Sequence, residues 1–233
     1  MDQSIFQPGP DAKIDCYRIG NEEEPLVKVE SFMSGAQFLK QYAIEQNQFT
    51  PADNYYPGIR MPVPLIYTAA LAKNLRQYIK SQFGVDPRDA KKAVSRFSIV
   101  TCPPEKLSLL QQIPHFDAAS KNGLAAIHYL ADDDTSGTAF YRHRKLGYEY
   151  VDTGRYDTYM QTVKQQFEEK SPHGYICGST DEYEMIGSFP ARYNRLLLYR
   201  GSSLHSGIIP ETYKFDPNPA TGRLTITSFY EFE

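Results

Sequence analysis

The chain has no tryptophan, only three cysteines and no long apolar run, and each shortage removes a class of protein. Cys16, Cys102 and Cys177 are odd in number and form no Cys-x-x-Cys pair. Neither a disulfide framework nor a thiolate zinc site is indicated, and reduced, mostly buried thiols are expected. No apolar stretch approaches the roughly 18–20 residues needed to span a bilayer. The N-terminal MDQSIFQPGPDAK lacks the basic start and apolar stretch of a signal peptide, so a cytoplasmic protein without membrane contact is expected. Excess positive charge is missing too. Lys and Arg number 25 against 28 Asp and Glu, a net charge of -3, which gives no bias toward polyanions and makes nucleic acid an unexpected partner.

What remains is an ordinary globular composition, 41% hydrophobic and 23% charged over 233 residues. That is enough for a single domain, 1–233, with a substantial core. The aromatic content is 18 Tyr and 13 Phe, with the tyrosines concentrated in stretches that read as strands, where amphipathic rings suit a half-buried pleated surface.

Residues 1–92 read as helical elements packed on a β core, after an extended lead-in with a short strand near Leu26 to Val29. Ser34 can cap a helix containing Phe38, Leu39, Tyr42 and Ile44. The segment Thr50 to Pro64 carries Pro51, Pro57, Gly58, Pro62 and Pro64 and is expected to run as irregular chain, a rim or hinge. From Leu65 to Phe83 apolar residues at Leu65, Ala69, Ala72, Leu75, Ile79 and Phe83 form a helical stripe, with Gly84 placed to terminate it. Beyond Asp89 the pattern changes to short apolar runs: Ala93 to Thr101, Gly123 to Leu130, Gly137 to Arg142, Arg195 to Tyr199, Thr212 to Phe215 and Arg223 to Phe232. Such runs, punctuated by Gly and Pro, predict antiparallel β structure over 93–233, a sandwich or barrel, with one polar helix inserted near 158–170. The expected class is therefore mainly β.

Among five histidines, His115 and Asp117 stand two apart in IPHFD, and in an extended segment such residues point to the same side. His205, where NRLLLYRGSSLHSG emerges from an apolar strand, is a candidate third ligand. Two imidazoles and one carboxylate on one face of a metal form the facial triad associated with non-haem Fe(II), although zinc fits such ligands as well. His128 should face the opposite side of its strand from Tyr129 and reads as packing. His143 in YRHRK reads as solvated, as does the basic cluster of Arg142, Arg144 and Lys145, and His173 reads as a turn residue.

Four pieces in order, PHFD, GLAAIHYLADDDTSGTAFY, RLLLYRGSSLH and GRLTITSF, resemble the prolyl-hydroxylase-like branch of the 2-oxoglutarate- and Fe(II)-dependent dioxygenases, over roughly Ala93 to Phe232. The resemblance implies a double-stranded β-helix, or jelly roll, flanked by helices. It also implies Fe(II) held by His115, Asp117 and His205, and 2-oxoglutarate held at its distal carboxylate by Arg223, with Tyr129 and Thr225 beside it. The chemistry implied is hydroxylation of a small molecule or peptide side chain by O2, with 2-oxoglutarate converted to succinate and CO2. The presence of Asp117 disfavours the halogenating variant. The stretch from His205 to Arg223, with Pro210, Pro217 and Pro219, is long for the family, and an inserted hairpin is expected there. Two other functions stay open: a cupin-like dioxygenase that does without 2-oxoglutarate, and a non-catalytic jelly-roll binding module. Nothing in the sequence names the substrate or the oligomeric state.

Overall fold

The computed structural model describes residues 3–52, 55–131, 135–169 and 174–232. Two antiparallel sheets carry the fold. The larger has the order β1-β2-β9-β6-β11-β5-β4-β3 and the smaller β10-β7-β8. The strands are β1 (Lys13–Ile19), β2 (Glu24–Glu30), β3 (Thr50–Pro51), β4 (Gly58–Pro62), β5 (Ala90–Val100), β6 (Leu124–Tyr129), β7 (Gly137–His143), β8 (Tyr183–Pro190), β9 (Leu196–Arg200), β10 (His205–Ile208) and β11 (Thr225–Phe232). The helices are α1 (Ala36–Gln46), α2 (Leu65–Asn74), the single turn α3 (Arg76–Tyr78) and α4 (Tyr156–Glu169). None is long and apolar enough to cross a membrane, among the described residues.

Alternation along the central strands explains the layering. On β6 and β9, Leu124, Ala126, Leu196 and Leu198 join the core shared with α1 and α2, while Ala125, Ile127, Tyr129, Leu197 and Tyr199 join a second core with Phe140 of β7. These strands are buried on both faces, which is why LAAIHY and LLLYR read as continuous apolar runs. A third core sets Val163 and Tyr159 of α4 against Ala139 and Tyr141, on the other side of β7 from Phe140. The order of layers is helices, large sheet, small sheet, α4.

His128 lies in the helix-facing core and is fully satisfied there. Tyr67 Oη is 3.1 Å from its Nδ1 and Asn194 Oδ1 is 3.0 Å from its Nε2. The carboxamide oxygen can only accept, so Nε2 carries the proton and Nδ1 accepts from the tyrosine. Burial pushes His128 down to about 4, against the opposing effect of the Asn194 hydrogen bond.

Several expectations are corrected. The first third is not simply helical: β1 and β2 form one edge of the large sheet and β4 lies near the other. Strand β1 (KIDCYRI) is wet on most positions, so it lacks the apolar alternation that marks a strand. In the Thr50 to Pro64 segment, Pro57 and Pro62 stand at the ends of β4, where the pairing with β5 tolerates a missing N–H. Ser34 does not cap α1; its hydroxyl donates to the Ser4 carbonyl at 2.9 Å, and Gly35 holds the cap position. The helix from Leu65 breaks at Leu75 and widens into a π turn over Ile79–Phe83 before Gly84, whose φ of 75° ends it. Its buried face runs through Tyr67, Leu71, Leu75, Ile79 and Phe83, whereas Leu65 is 95% exposed.

No strand forms over Thr212 to Phe215, and no hairpin is inserted between β10 and β11. Pro210, Pro217 and Pro219 remove donors there, Phe215 adopts a φ of 49°, and Tyr213 turns inward to donate to Val100 O. His143 is buried, not solvated, with Nε2 2.9 Å from Gln166 Oε1 and the Leu146 N–H donating to Nδ1. Arg142 is engaged by Glu149 and Glu184. All three thiols are free, but Cys16 and Cys177 are exposed. His173 and the last residue of the expected helix, Lys170, lie outside the described residues.

Replacing Leu198, which is fully buried in β9, by alanine should cost about 2–5 kcal/mol, read from the urea midpoint. His128 yields a pH prediction. Between its ordinary pKa near 6.5 and about 4, the unfolded chain binds a proton that the folded chain refuses, so stability is full above 6.5 and falls as pH drops. Across the window the loss is on the order of 3 kcal/mol. Urea titrations from pH 7 to 4.5 should show a shallower pH slope in His128→Gln than in the wild type, and equal slopes would refute the assignment.

Candidate metal centre

The backbone brings the three predicted ligands together. His115 and His205 exchange both main-chain hydrogen bonds, 2.9 Å in each direction, and the Asp117 N–H donates to Gly201 O at 2.7 Å. The segment before β6 is thereby zipped to the turn between β9 and β10, and the two-residue period returns Asp117 to the side of His115. His115 Nε2 is 3.8 Å from Asp117 Oδ1, and His205 Nε2 is 3.3 Å from Asp117 Oδ2. The imidazole centroids are 4.4 Å apart, and one donor atom from each residue lies within 4.8 Å of the others. Ligands bonded at 2.0–2.1 Å to one ion sit about 3 Å apart when adjacent, so side-chain adjustments on the order of 1 Å close this set around a metal.

Its chemistry suits a divalent cation. His205 Nδ1 is 2.9 Å from Ser203 O, a carbonyl that can only accept, so the proton is on Nδ1 and Nε2 faces the other donors. Burial lowers the basicity of His205, but the charge and hydrogen bond of Asp117 and the Ser203 carbonyl outweigh it and the pKa is raised. His115 is pushed down to about 4 by burial and by the neighbouring His205 charge. Burial alone would raise Asp117, yet the charge and hydrogen bond of His205, aided by His115 and Arg60, hold it below the usual carboxylate range. Asp117 is thereby kept ionised and His115 neutral, the states metal binding requires of them, while a metal at His205 Nε2 takes the place of the proton that Asp117 favours there. The His205 side chain is 6% exposed and that of His115 49%, so the set opens on the His115 side.

It opens onto a cavity of ≈ 630 Å³, whose walls also include Thr138, Arg223 and Thr225. Arg223 is 4% exposed. Its Nε donates to Ser136 Oγ and one Nη to Gly137 O, both at 2.9 Å, and the guanidinium lies 5.5 Å from the Tyr129 ring centre. Among the described residues no carboxylate stands within ion-pair distance of it. Thr225 lines the cavity while its hydroxyl donates to Ser98 O, and Thr227 follows on the same face, as strand alternation requires. Tyr129 is placed differently: it stands behind the wall, with its hydroxyl 2.6 Å from Thr138 Oγ1.

The Thr50 to Pro64 segment does border the cavity, through Tyr55, Tyr56, Pro57 and Arg60. Arg60, Tyr56 and Thr138 were not singled out by the sequence. Reading GIRMP as a short strand between two prolines would have put Arg60 on the face opposite Ile59 and Met61, and that is the signal available.

Residues 10–230 match the model of a family of unknown function (DUF6445), and the chain belongs to that family. No curated protein matches. Among solved structures, the chain is similar to SnoN, described as a non-heme alpha-ketoglutarate-dependent epimerase from nogalamycin biosynthesis, at 13% identity and TM-score 0.49, over 92% of this chain and 78% of that one. It is similar to SnoK, a carbocyclase of the same biosynthesis, at 12% identity and TM-score 0.49, over 90% and 80%. HygX from Streptomyces hygroscopicus, solved with nickel, 2-oxoglutarate and hygromycin B bound, shows 11% identity and TM-score 0.44, over 88% and 82%. Superpositions this loose leave the chemistry to be read from the geometry of the site itself.

Replacing His205 by alanine should lower affinity for Mn(II) or Fe(II) about 100-fold or more in anaerobic calorimetry, with the far-UV circular dichroism unchanged. Unaltered metal affinity would remove His205 from the site.

Proposed function

We propose that the chain is an Fe(II)- and 2-oxoglutarate-dependent oxygenase, with its two sheets forming a double-stranded β-helix, that oxidises a small molecule or peptide side chain. The observation that carries this reading is the opening of two features onto one cavity: a three-donor cluster within 4.8 Å, and a buried arginine without a carboxylate partner among the described residues. A buried cation is costly unless an anion compensates it, and a guanidinium matches a carboxylate in shape as well as charge. His115, Asp117 and His205 would hold the iron. Arg223 would take the distal carboxylate of 2-oxoglutarate, with the Thr225 hydroxyl beside it and Tyr129 acting through Thr138. Iron bound at such a site supplies the activation of O2, which ends with one oxygen atom in succinate and the other in the product, with release of CO2. The surrounding chain supplies orientation: Ser136 and Gly137 hold the guanidinium plane, and the backbone bridge holds the imidazoles.

The test is anaerobic titration with Fe(II) and then 2-oxoglutarate. The wild-type chain should bind both in sequence. Arg223→Ala should keep the metal and lose about 100-fold in 2-oxoglutarate affinity, the scale of a charge-assisted interaction of about 3 kcal/mol. Metal binding with no 2-oxoglutarate binding in the wild type would refute this reading in favour of a cupin-like dioxygenase.

A further inference from the structure

A tyrosine on the cavity wall carries a hydroxyl with nothing to bond. Tyr199 stands on β9, on the face that also carries Leu197, and is 5% exposed. Its ring packs edge-on against the His205 imidazole, 4.8 Å between centres, and against Phe140 at 5.1 Å. Among the described residues its Oη has no hydrogen-bond partner. Other hydroxyls of the wall are committed: Tyr159, Tyr175 and Tyr230 donate to the carbonyls of Pro114, Cys102 and Thr68, Thr225 donates to Ser98 O, and Thr138 is bonded to Tyr129. Tyr199 Oη is not sealed off, as the unpaired Tyr141 Oη is, so the small exposure of Tyr199 is to the cavity it lines. Phenylalanine would fill the same space without the cost of desolvating a donor, so a hydroxyl held here calls for an acceptor in the cavity.

The sheet register locates that acceptor. Tyr199 pairs with Ala125 on β6, and four residues further along β6 Tyr129 pairs with Thr225 on β11. The metal donors lie at the Tyr199 end, where β9 runs through Gly201 toward His205, and Arg223 lies at the Tyr129 end, 5.5 Å from that ring. Burial, the Asp117 charge and the Tyr129 phenol all hold the Tyr199 hydroxyl well above its ordinary pKa, so it stays protonated, a donor within electrostatic reach of both ends. A ligand that bridges the donor cluster and Arg223 passes this wall. A molecule arriving from outside comes from another direction, since the cluster opens on the side of His115, 49% exposed, and is closed on the side of His205, 6% exposed, against which Tyr199 packs. We propose, resting on the oxygenase reading above, that Tyr199 is a cosubstrate-binding residue whose hydroxyl donates a hydrogen bond to the 2-oxo acid end of 2-oxoglutarate, while Arg223 takes the distal carboxylate.

The experiment compares the full wild-type chain with Tyr199→Phe, both loaded anaerobically with Fe(II) and titrated calorimetrically with 2-oxoglutarate. The variant should bind 2-oxoglutarate about tenfold more weakly, the scale of one hydrogen bond to a charged group, with Fe(II) affinity unchanged. The thermal midpoint of the metal-free variant should be no lower than that of the wild type, because the hydroxyl has no partner within the protein. At saturating 2-oxoglutarate the visible charge-transfer band of the Fe(II) chelate should shift in Tyr199→Phe and keep its position in Arg223→Lys, since only the first substitution alters the chelated end. Equal 2-oxoglutarate affinity in wild type and Tyr199→Phe overturns the proposal and leaves the oxygenase reading standing. Weaker binding with an unshifted band overturns it too, as does a lowered midpoint, which would pair the hydroxyl within the protein, or a weakened Fe(II) affinity, which would make Tyr199 a support for His205. A wild-type chain that takes up Fe(II) but no 2-oxoglutarate refutes the oxygenase and this proposal together.

Discussion

The antiparallel bridge between His115 and His205 joins two pieces of chain that no local propensity would bring together. On one side lies a short irregular segment before β6, and on the other the turn by which the chain leaves the large sheet at β9 and enters the small one at β10. Because the bonds are main chain to main chain, the positions of the imidazoles follow from strand register. Asp117 is tied to the same turn through Gly201, so all three donors share one backbone frame. A site built this way is preorganised at the level of Cα positions and leaves only side-chain rotation to adjust to an ion.

That frame depends in turn on the double-sided burial of β6 and β9. Each presents one set of side chains to the helical layer and the alternate set to the small sheet, so the large sheet acts as a partition between a dry core and the cavity. Strand β11 shows the division at single-residue resolution. Ile226 and Ser228 face the helices, where Ser228 bonds to Ser95, whereas Thr225, Thr227 and Phe229 line the cavity; Tyr230 donates to the Thr68 carbonyl in the helical layer and also borders the cavity. Polar groups on the dry side are paired with one another. Among the described residues, Arg223, just before this strand, has a hydroxyl and a carbonyl as hydrogen-bond partners and no carboxylate.

Much of the β architecture was legible because β6, β7, β9, β11 and the second half of β5 are largely buried runs rich in β-branched, aromatic and aliphatic residues. Strands β1, β8 and β10 were not, since edge position or partial exposure removes the apolar alternation on which such reading depends. Strand β4 was hidden by its prolines, and Arg60 with it. His143 was misread for a related reason: its neighbours Arg142 and Arg144 are charged, but its strand alternates, and the ring turns inward to Tyr159 and Tyr183.

The sequence by itself determined the mainly β class, the inward packing of His128, and the three residue types from which a metal site could be built, because side-chain chemistry and the period of two are local properties. Only the tertiary structure decided that His115, Asp117 and His205 meet within 4.8 Å, that Tyr129 stands behind Thr138, and that Arg60 shares the cavity. Those are matters of which strand pairs with which, and in what register. That choice is made by burial summed over both sheets and is written in no single segment.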